Sequence, residues 1–152
     1  MIIVTVRFDR PPPEPLASAV GFLLSWNGQR TAHLFTEALA PLELRPPHFG
    51  VLTLIDAEPG STQQELVARS MIDPSSMVGL IDELEARGLA ERRRHPSDRR
   101  KHAVYLTGDG RKTLGEARKA AMRTAQEVLA PLDEPEREEL RRLLRKLAKL
   151  DA

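Results

Sequence analysis

The sequence predicts a mainly α-helical chain carrying one small β-hairpin, and three observations between Ser61 and Thr107 carry that expectation. Two helix-start signals, Thr62-x-x-Glu65 and Asp73-Pro74, fall close together; Met77, Leu80, Ile81 and Leu84 follow at helical spacing; and an arginine-rich stretch around Pro96-Ser97-Asp98 comes after Gly88. In the first signal the threonine hydroxyl accepts from an exposed helix-start N–H while the glutamate reaches back to the cap N–H. In the second an aspartate supplies the cap acceptor, and a proline at the first helical position gives up no N–H that the helix would use. Two short helices joined by a tight turn are expected. The second buries its apolar face, leaves Ser75, Ser76, Gly79 and Asp82 on the other, and ends at Gly88.

Leu89 to His95, the turn at 96–98 and Arg99 to Leu106 read as a hairpin with a basic tip, which makes the whole a winged helix-turn-helix. From Glu91 to His102 five Arg and one Lys face one Glu and one Asp, a local charge of +4 in a chain whose total is +1. Positive charge gathered on one hairpin beside a solvent-facing helix is the footprint of a duplex-binding surface.

The flanks are helical. Met1 to Phe8 is apolar and β-branched, and the proline-rich run from Asp9 to Pro15 cannot be the inside of a helix. This segment is an added strand, an extended arm that packs on a partner subunit, or a loosely held terminus. Leu16 to Leu39 lacks proline and repeats apolar residues at Leu16, Val20, Leu23, Leu24, Leu34, Phe35 and Leu39, which predicts a long helix interrupted at Gly21 and Gly28. Those glycines mark either close approach of another helix or a kink. His48 to Glu58 forms the next helix, with Phe49, Leu52 and Ile55 on one side, ended by Pro59-Gly60. After the hairpin Thr107 caps a helix whose sparse stripe is Leu114, Ala121, Ala125, Val128 and Leu132. Asp133-x-x-Glu136 caps the last, in which Leu140, Leu143, Leu144, Leu147 and Leu150 lie opposite Arg141, Arg142, Arg145, Lys146 and Lys149. Such a stripe packs on its own subunit or, the preferred reading, on the same region of a second chain.

With 152 residues, 41% hydrophobic and 30% charged, the composition is that of an ordinary soluble protein of one domain with helical extensions. Cysteine is absent, which excludes disulfides and thiolate metal sites, and four unclustered histidines argue against zinc. No apolar run approaches the roughly 18 residues of a membrane span, and no signal peptide is recognised, so a cytoplasmic protein without membrane attachment is expected. No cofactor or catalytic group is expected either.

The run Thr62-x-x-Glu65-Leu66-Val67, Asp73-Pro74-Ser75-Ser76, Leu84-Glu85-x-x-Gly88-Leu89-x-x-Arg92, Pro96-x-Asp98-Arg99-Arg100 and Val104-x-Leu106-Thr107-x-x-Gly110 resembles the MarR family of bacterial transcriptional regulators. The resemblance implies a homodimer that binds pseudopalindromic operator DNA, often as a repressor, and is commonly released by small anionic aromatic ligands. It divides the chain into an extended arm at 1–15, a dimerisation region at 16–45 and 108–152, and a DNA-binding domain at 46–107.

The same resemblance assigns candidate roles. Asp98 would orient Arg100 into the minor groove, while Arg92, Arg93, Arg94, Arg99 and Lys101 would meet phosphates. Gln63 and Gln64, at the start of the helix that crosses the backbone, are further phosphate candidates. Where the family often shows a Thr-Arg pair, this chain has Val78-Gly79, so base readout leans on Ser75, Ser76 and DNA shape. Gly79 reflects close backbone approach or simple drift. The family's effector crevice lies beside the long first helix, where Trp26, Arg30 and His33 share a face; the alternative is a core tryptophan with a surface arginine. His48 is either a lining residue of that crevice or a surface histidine. Two rivals from other classes are an enzyme using a winged helix to dimerise, for which no nucleotide loop is present, and a winged-helix protein-interaction module, whose wing need not be basic.

Overall fold

The computed structural model describes residues 8–150. The expected strand at the N-terminus lies, but for Phe8, outside the described residues. The helices are α1 (Val20–Leu39), α2 (Pro46–Ala57), α3 (Gln63–Ala68), α4 (Pro74–Ala86), α5 (Gly108–Val128) and α6 (Glu134–Leu147), with short 3-10 turns at Leu16–Ser18 and Ala40–Leu42. Strands β1 (Ser61–Thr62), β2 (Ala90–Arg94) and β3 (His102–Leu106) form one antiparallel sheet in the order β1-β3-β2.

The helix-turn-helix forms as its caps dictate. Thr62 Oγ1 accepts from the Glu65 N–H at 3.3 Å while Glu65 Oε2 accepts from the Thr62 N–H at 2.7 Å, and Asp73 Oδ1 accepts from the Ser76 N–H at 3.0 Å. The Thr62 N–H, then its hydroxyl, hold the Glu65 carboxyl below its ordinary value, and the Ser76 hydroxyl, then its N–H, do the same for Asp73. Met77, Leu80, Ile81 and Leu84 all enter one core with Leu52 and Ile55 of α2, Leu66 of α3, Val104 and Leu106 of β3 and Leu114 of α5. Gly88 closes α4 at φ +68°, a left-handed conformation glycine adopts without a Cβ penalty. At Gly110 the requirement is space, since a Cβ there would collide with the Leu89 carbonyl, which accepts from the Thr107 N–H at 3.1 Å.

Several expectations are corrected. Ser61 and Thr62, read only as a helix start, also pair with Val104 and Ala103, giving the wing a third strand. β3 begins at His102 rather than Arg99, because residues 95–101 form a loop closed by the His95 N–H to the Lys101 carbonyl at 2.9 Å. α2 starts at Pro46, two residues early, since prolines without N–H groups fit its first turn. The helix expected from Leu16 is broken at Ala19, whose backbone is extended, and α1 then runs unbroken through Gly21 and Gly28, where an added Cβ would meet nothing within 4 Å. On α5 the buried positions are Gly110, Leu114, Ala117, Ala120 and Thr124. Ala121 and Val128 are only half-buried and Ala125 is exposed, because the face turned to α1 and α2 is rotated from the apolar count.

The apolar stripe of α1 reaches the core only at its end. Leu39 is buried and Phe35 packs against the core edge-on to Phe49 at 5.2 Å, whereas Val20 and Leu24 are exposed. α6 has no buried residue at all. It ends at Leu147, with Lys149 left-handed at φ +57° and the Leu150 N–H donating back to the Arg145 carbonyl at 3.0 Å, so Leu150 lies past the helix.

Candidate nucleic-acid interface

The sheet aims the wing. Ala103, Val104 and Leu106 anchor β3 in the core, and the β2–β3 register from Ala90↔Leu106 to Arg94↔His102 carries the loop away from the body. At the loop's tip Asp98 Oδ1 accepts from the Arg100 N–H at 3.0 Å and faces its Nε at 3.5 Å. The Arg100 side chain is nevertheless 92% exposed, so the carboxylate organises its base while the guanidinium reaches into solvent. Arg99 and Lys101 beside it are exposed as well.

The remaining arginines divide by what they touch. Arg92, grouped with the phosphate contacts on sequence grounds, bonds Asp82 Oδ1 at 2.7 Å and Glu85, and its N–H donates to Glu85 Oε1 at 2.8 Å. It straps the wing to α4 instead of facing outward. Arg93 pairs with Glu91 and stacks over the Tyr105 ring at 4.8 Å, which leaves less of its charge for a partner. Arg94 is exposed and has no ion-pair partner among the described residues.

On α4, Ser75 and Ser76 are exposed and Gly79 is half-buried beside exposed Val78. The Ser76 hydroxyl donates to Asp73 Oδ2 at 2.6 Å, so only its lone pairs remain for an outside donor. A Cβ at Gly79 would meet nothing within 4 Å, which removes packing inside the chain as the reason for glycine there. Gln63 and Gln64 share a shallow recess with Lys101 and His102, which brings the start of α3 against the root of the wing.

His48 is not a surface residue. It is 3% exposed, its Nδ1 accepts from the Arg45 N–H at 3.0 Å, and its Nε2 lies 2.7 Å from Glu83 Oε2. An Nδ1 that accepts leaves the proton on Nε2, which donates to the glutamate. Arg45 Nη2 reaches the same Glu83 oxygen at 2.7 Å, and the two bonds, His48 first, hold that carboxyl below its ordinary value. This link between the start of α2 and the middle of α4 had no local signal, since its partners are 35 residues apart.

Trp26, Arg30 and His33 do share one face of α1. The indole is half-buried, with Phe22 stacked at 6.2 Å and Phe8 edge-on at 5.1 Å, while His33 Nε2 is 3.6 Å from Glu37 Oε1. Among the described residues no group of three His, Cys, Asp or Glu side chains could hold a metal ion, and no helix is long and apolar enough to cross a membrane.

Residues 42–101, from the end of the 3-10 turn before α2 to the wing loop, match the model of the MarR family. A putative transcriptional regulatory protein for the hcr operon of Thauera aromatica is 31% identical over 138 residues, 90% of this chain and 83% of that protein. The chain belongs to the MarR family. Members of this family are transcriptional regulators and not enzymes. Among solved structures, the repressor CouR bound to a 23-mer DNA duplex is 36% identical, with a TM-score of 0.80 over 91% of this chain and 99% of that one. BpsR of Bordetella bronchiseptica, whose DNA binding is regulated by 6-hydroxynicotinic acid, is 31% identical, with a TM-score of 0.77 over 93% of this chain and 99% of that one. The MarR fold thus accounts for the helix order and the three-stranded wing together.

Proposed function

We propose that this MarR-family chain is a homodimeric repressor that binds a pseudopalindromic operator through α4 and the wing and is released by a small anionic aromatic ligand beside Trp26. The carrying observation is the wing tip, where Asp98 organises Arg100 and leaves its guanidinium 92% exposed on the chain's basic hairpin. In this reading Arg100 enters the minor groove, Arg94, Arg99 and Lys101 meet phosphates with Gln63 and Gln64, and Ser75, Ser76 and the bare Gly79 backbone face the major groove. The unpaired leucines of α6 join two copies, which sets two recognition helices about 34 Å apart.

On the effector side, Trp26 offers a ring face and Arg30 a cation, a pair suited to an aromatic carboxylate. The regulation of BpsR by such an acid supports the chemical class. Release requires that the ligand favour a dimer geometry whose recognition helices no longer match the half-sites, because equal affinity for both geometries shifts nothing. Selecting bound fragments from random duplexes, then adding small aromatic acids, tests the whole reading. A palindromic consensus released by an acid is expected; salt-dependent binding without any consensus would overturn it.

A further inference from the structure

Phe8 lies where the proposed ligand's ring would go. Its centroid is 5.1 Å from Trp26, edge-on, and 5.7 Å from His33, tilted. Trp26 and His33 are two turns apart on α1, about 10 Å along the axis, so one ring fills the gap between them. Arg30 occupies the intervening turn of the same face. Among the described residues it has no ion-pair partner, and it is half-buried. The described residues therefore supply an aromatic ring to this slot and no ion-pair partner to the arginine on the same helix face.

From this juxtaposition we infer that Phe8 is a built-in plug of the effector slot, and that the ligand is an aromatic carboxylate which displaces Phe8, taking its ring position and bringing an anion to Arg30. This rests on the ligand reading above and deepens it. Displacement makes the apparent affinity lower than the intrinsic one by the fraction of time the slot is open. It also selects for charge: a neutral aromatic offers the slot nothing that Phe8 does not already provide, whereas an acid gains a charge-assisted bond to Arg30. Phe8 is joined to the turn at residues 14–15 through Pro11, Pro12 and Pro13, none of which has an N–H to donate to the body of the protein.

The test uses the full-length chain and its only tryptophan, titrated with benzoate, salicylate, 6-hydroxynicotinate and benzamide while Trp26 emission is followed. Phe8→Ala is expected to red-shift the free protein's emission and to tighten binding of the acids by about three- to tenfold, the magnitude of one lost aromatic pair. Phe8→Tyr, which keeps the ring, should stay near wild type. Benzamide should bind Phe8→Ala more weakly than benzoate, and Arg30→Ala in the Phe8→Ala background should abolish that difference. Acids that bind wild type and Phe8→Ala equally, or bind Phe8→Ala more weakly, overturn the plug while the ligand site near Trp26 stands. If no acid perturbs either protein at millimolar concentration, the ligand reading fails and the plug with it.

Discussion

The helix-turn-helix lobe and the terminal helices are written in the same amphipathic code, yet they end in opposite states. On α4 the apolar residues Met77, Ile81 and Leu84 are fully buried, and among the described residues no buried side-chain nitrogen or oxygen lacks a partner. On α6 an equally regular stripe leaves Leu143, Leu144 and Leu147 exposed, the last at 67%, and at the start of α1 Val20 is 72% exposed. Each such leucine brought into a core is worth about 1–2 kcal/mol. Periodicity thus states that a face needs cover; it does not state what covers it. The lobe is covered within the chain, whereas the start of α1 and the leucine face of α6 present surfaces suited to a second copy.

The largest effect that tests this contrast is inside the lobe. Leu84→Ala should lower unfolding stability by about 2–5 kcal/mol, read from the urea midpoint, and the loss should not depend on protein concentration. Next, a chain truncated after Leu132 should sediment as a monomer or aggregate, because α6 is expected to bury its leucines only against another subunit. A clean, stable dimer from that truncation would break the comparison. At the DNA surface, Arg100→Ala should weaken operator binding by more than about 1 kcal/mol, measured by titration at fixed salt. Arg94→Ala should instead weaken operator and random duplex alike and reduce the salt slope by about one, and Arg93→Ala by less, since Glu91 already shares its charge.

A smaller effect sharpens the role of α4. Gly79→Ala has open space for its methyl group and should stabilise the chain by about 1 kcal/mol in thermal unfolding. If it also weakens operator binding, the bare backbone approaches DNA; unchanged binding would leave the glycine to drift. Acid should act on the lobe's carboxylates. Glu65, Asp73 and Glu83 are all held below their ordinary values of 4.5, 3.8 and 4.5. A lowered folded value means stability that is complete above the ordinary value and lost as pH falls through the folded one. A urea midpoint flat above about pH 5 and declining below pH 4 is expected, and Glu83→Gln should make that decline shallower.

Residue types three or four positions apart were enough to determine the caps at Thr62, Asp73, Thr107 and Asp133, the buried face of α4 and the stop at Gly88, whereas the Asp98 contact that organises Arg100 was legible only through the family resemblance. Each of the former joins groups that a single turn of chain brings together, so no knowledge of the rest was needed. The tertiary structure alone decided which charges are spent within the chain. Arg92 looks like its neighbours in sequence, but the hairpin folds back over α4 and gives it Asp82 and Glu85. His48 has no partner within its own stretch of sequence until α2 meets α4 and Glu83 accepts a hydrogen bond from its Nε2. The buried face of α5 is offset from its apolar stripe for the same reason, since α1 and α2 approach the side carrying Ala117 and Ala120. Phe8 closes an apolar, β-branched segment whose composition favours a strand without naming its partner, and its place against Trp26 follows from where the arm meets α1. Such pairings depend on the angle and distance between elements, which composition and periodicity do not encode.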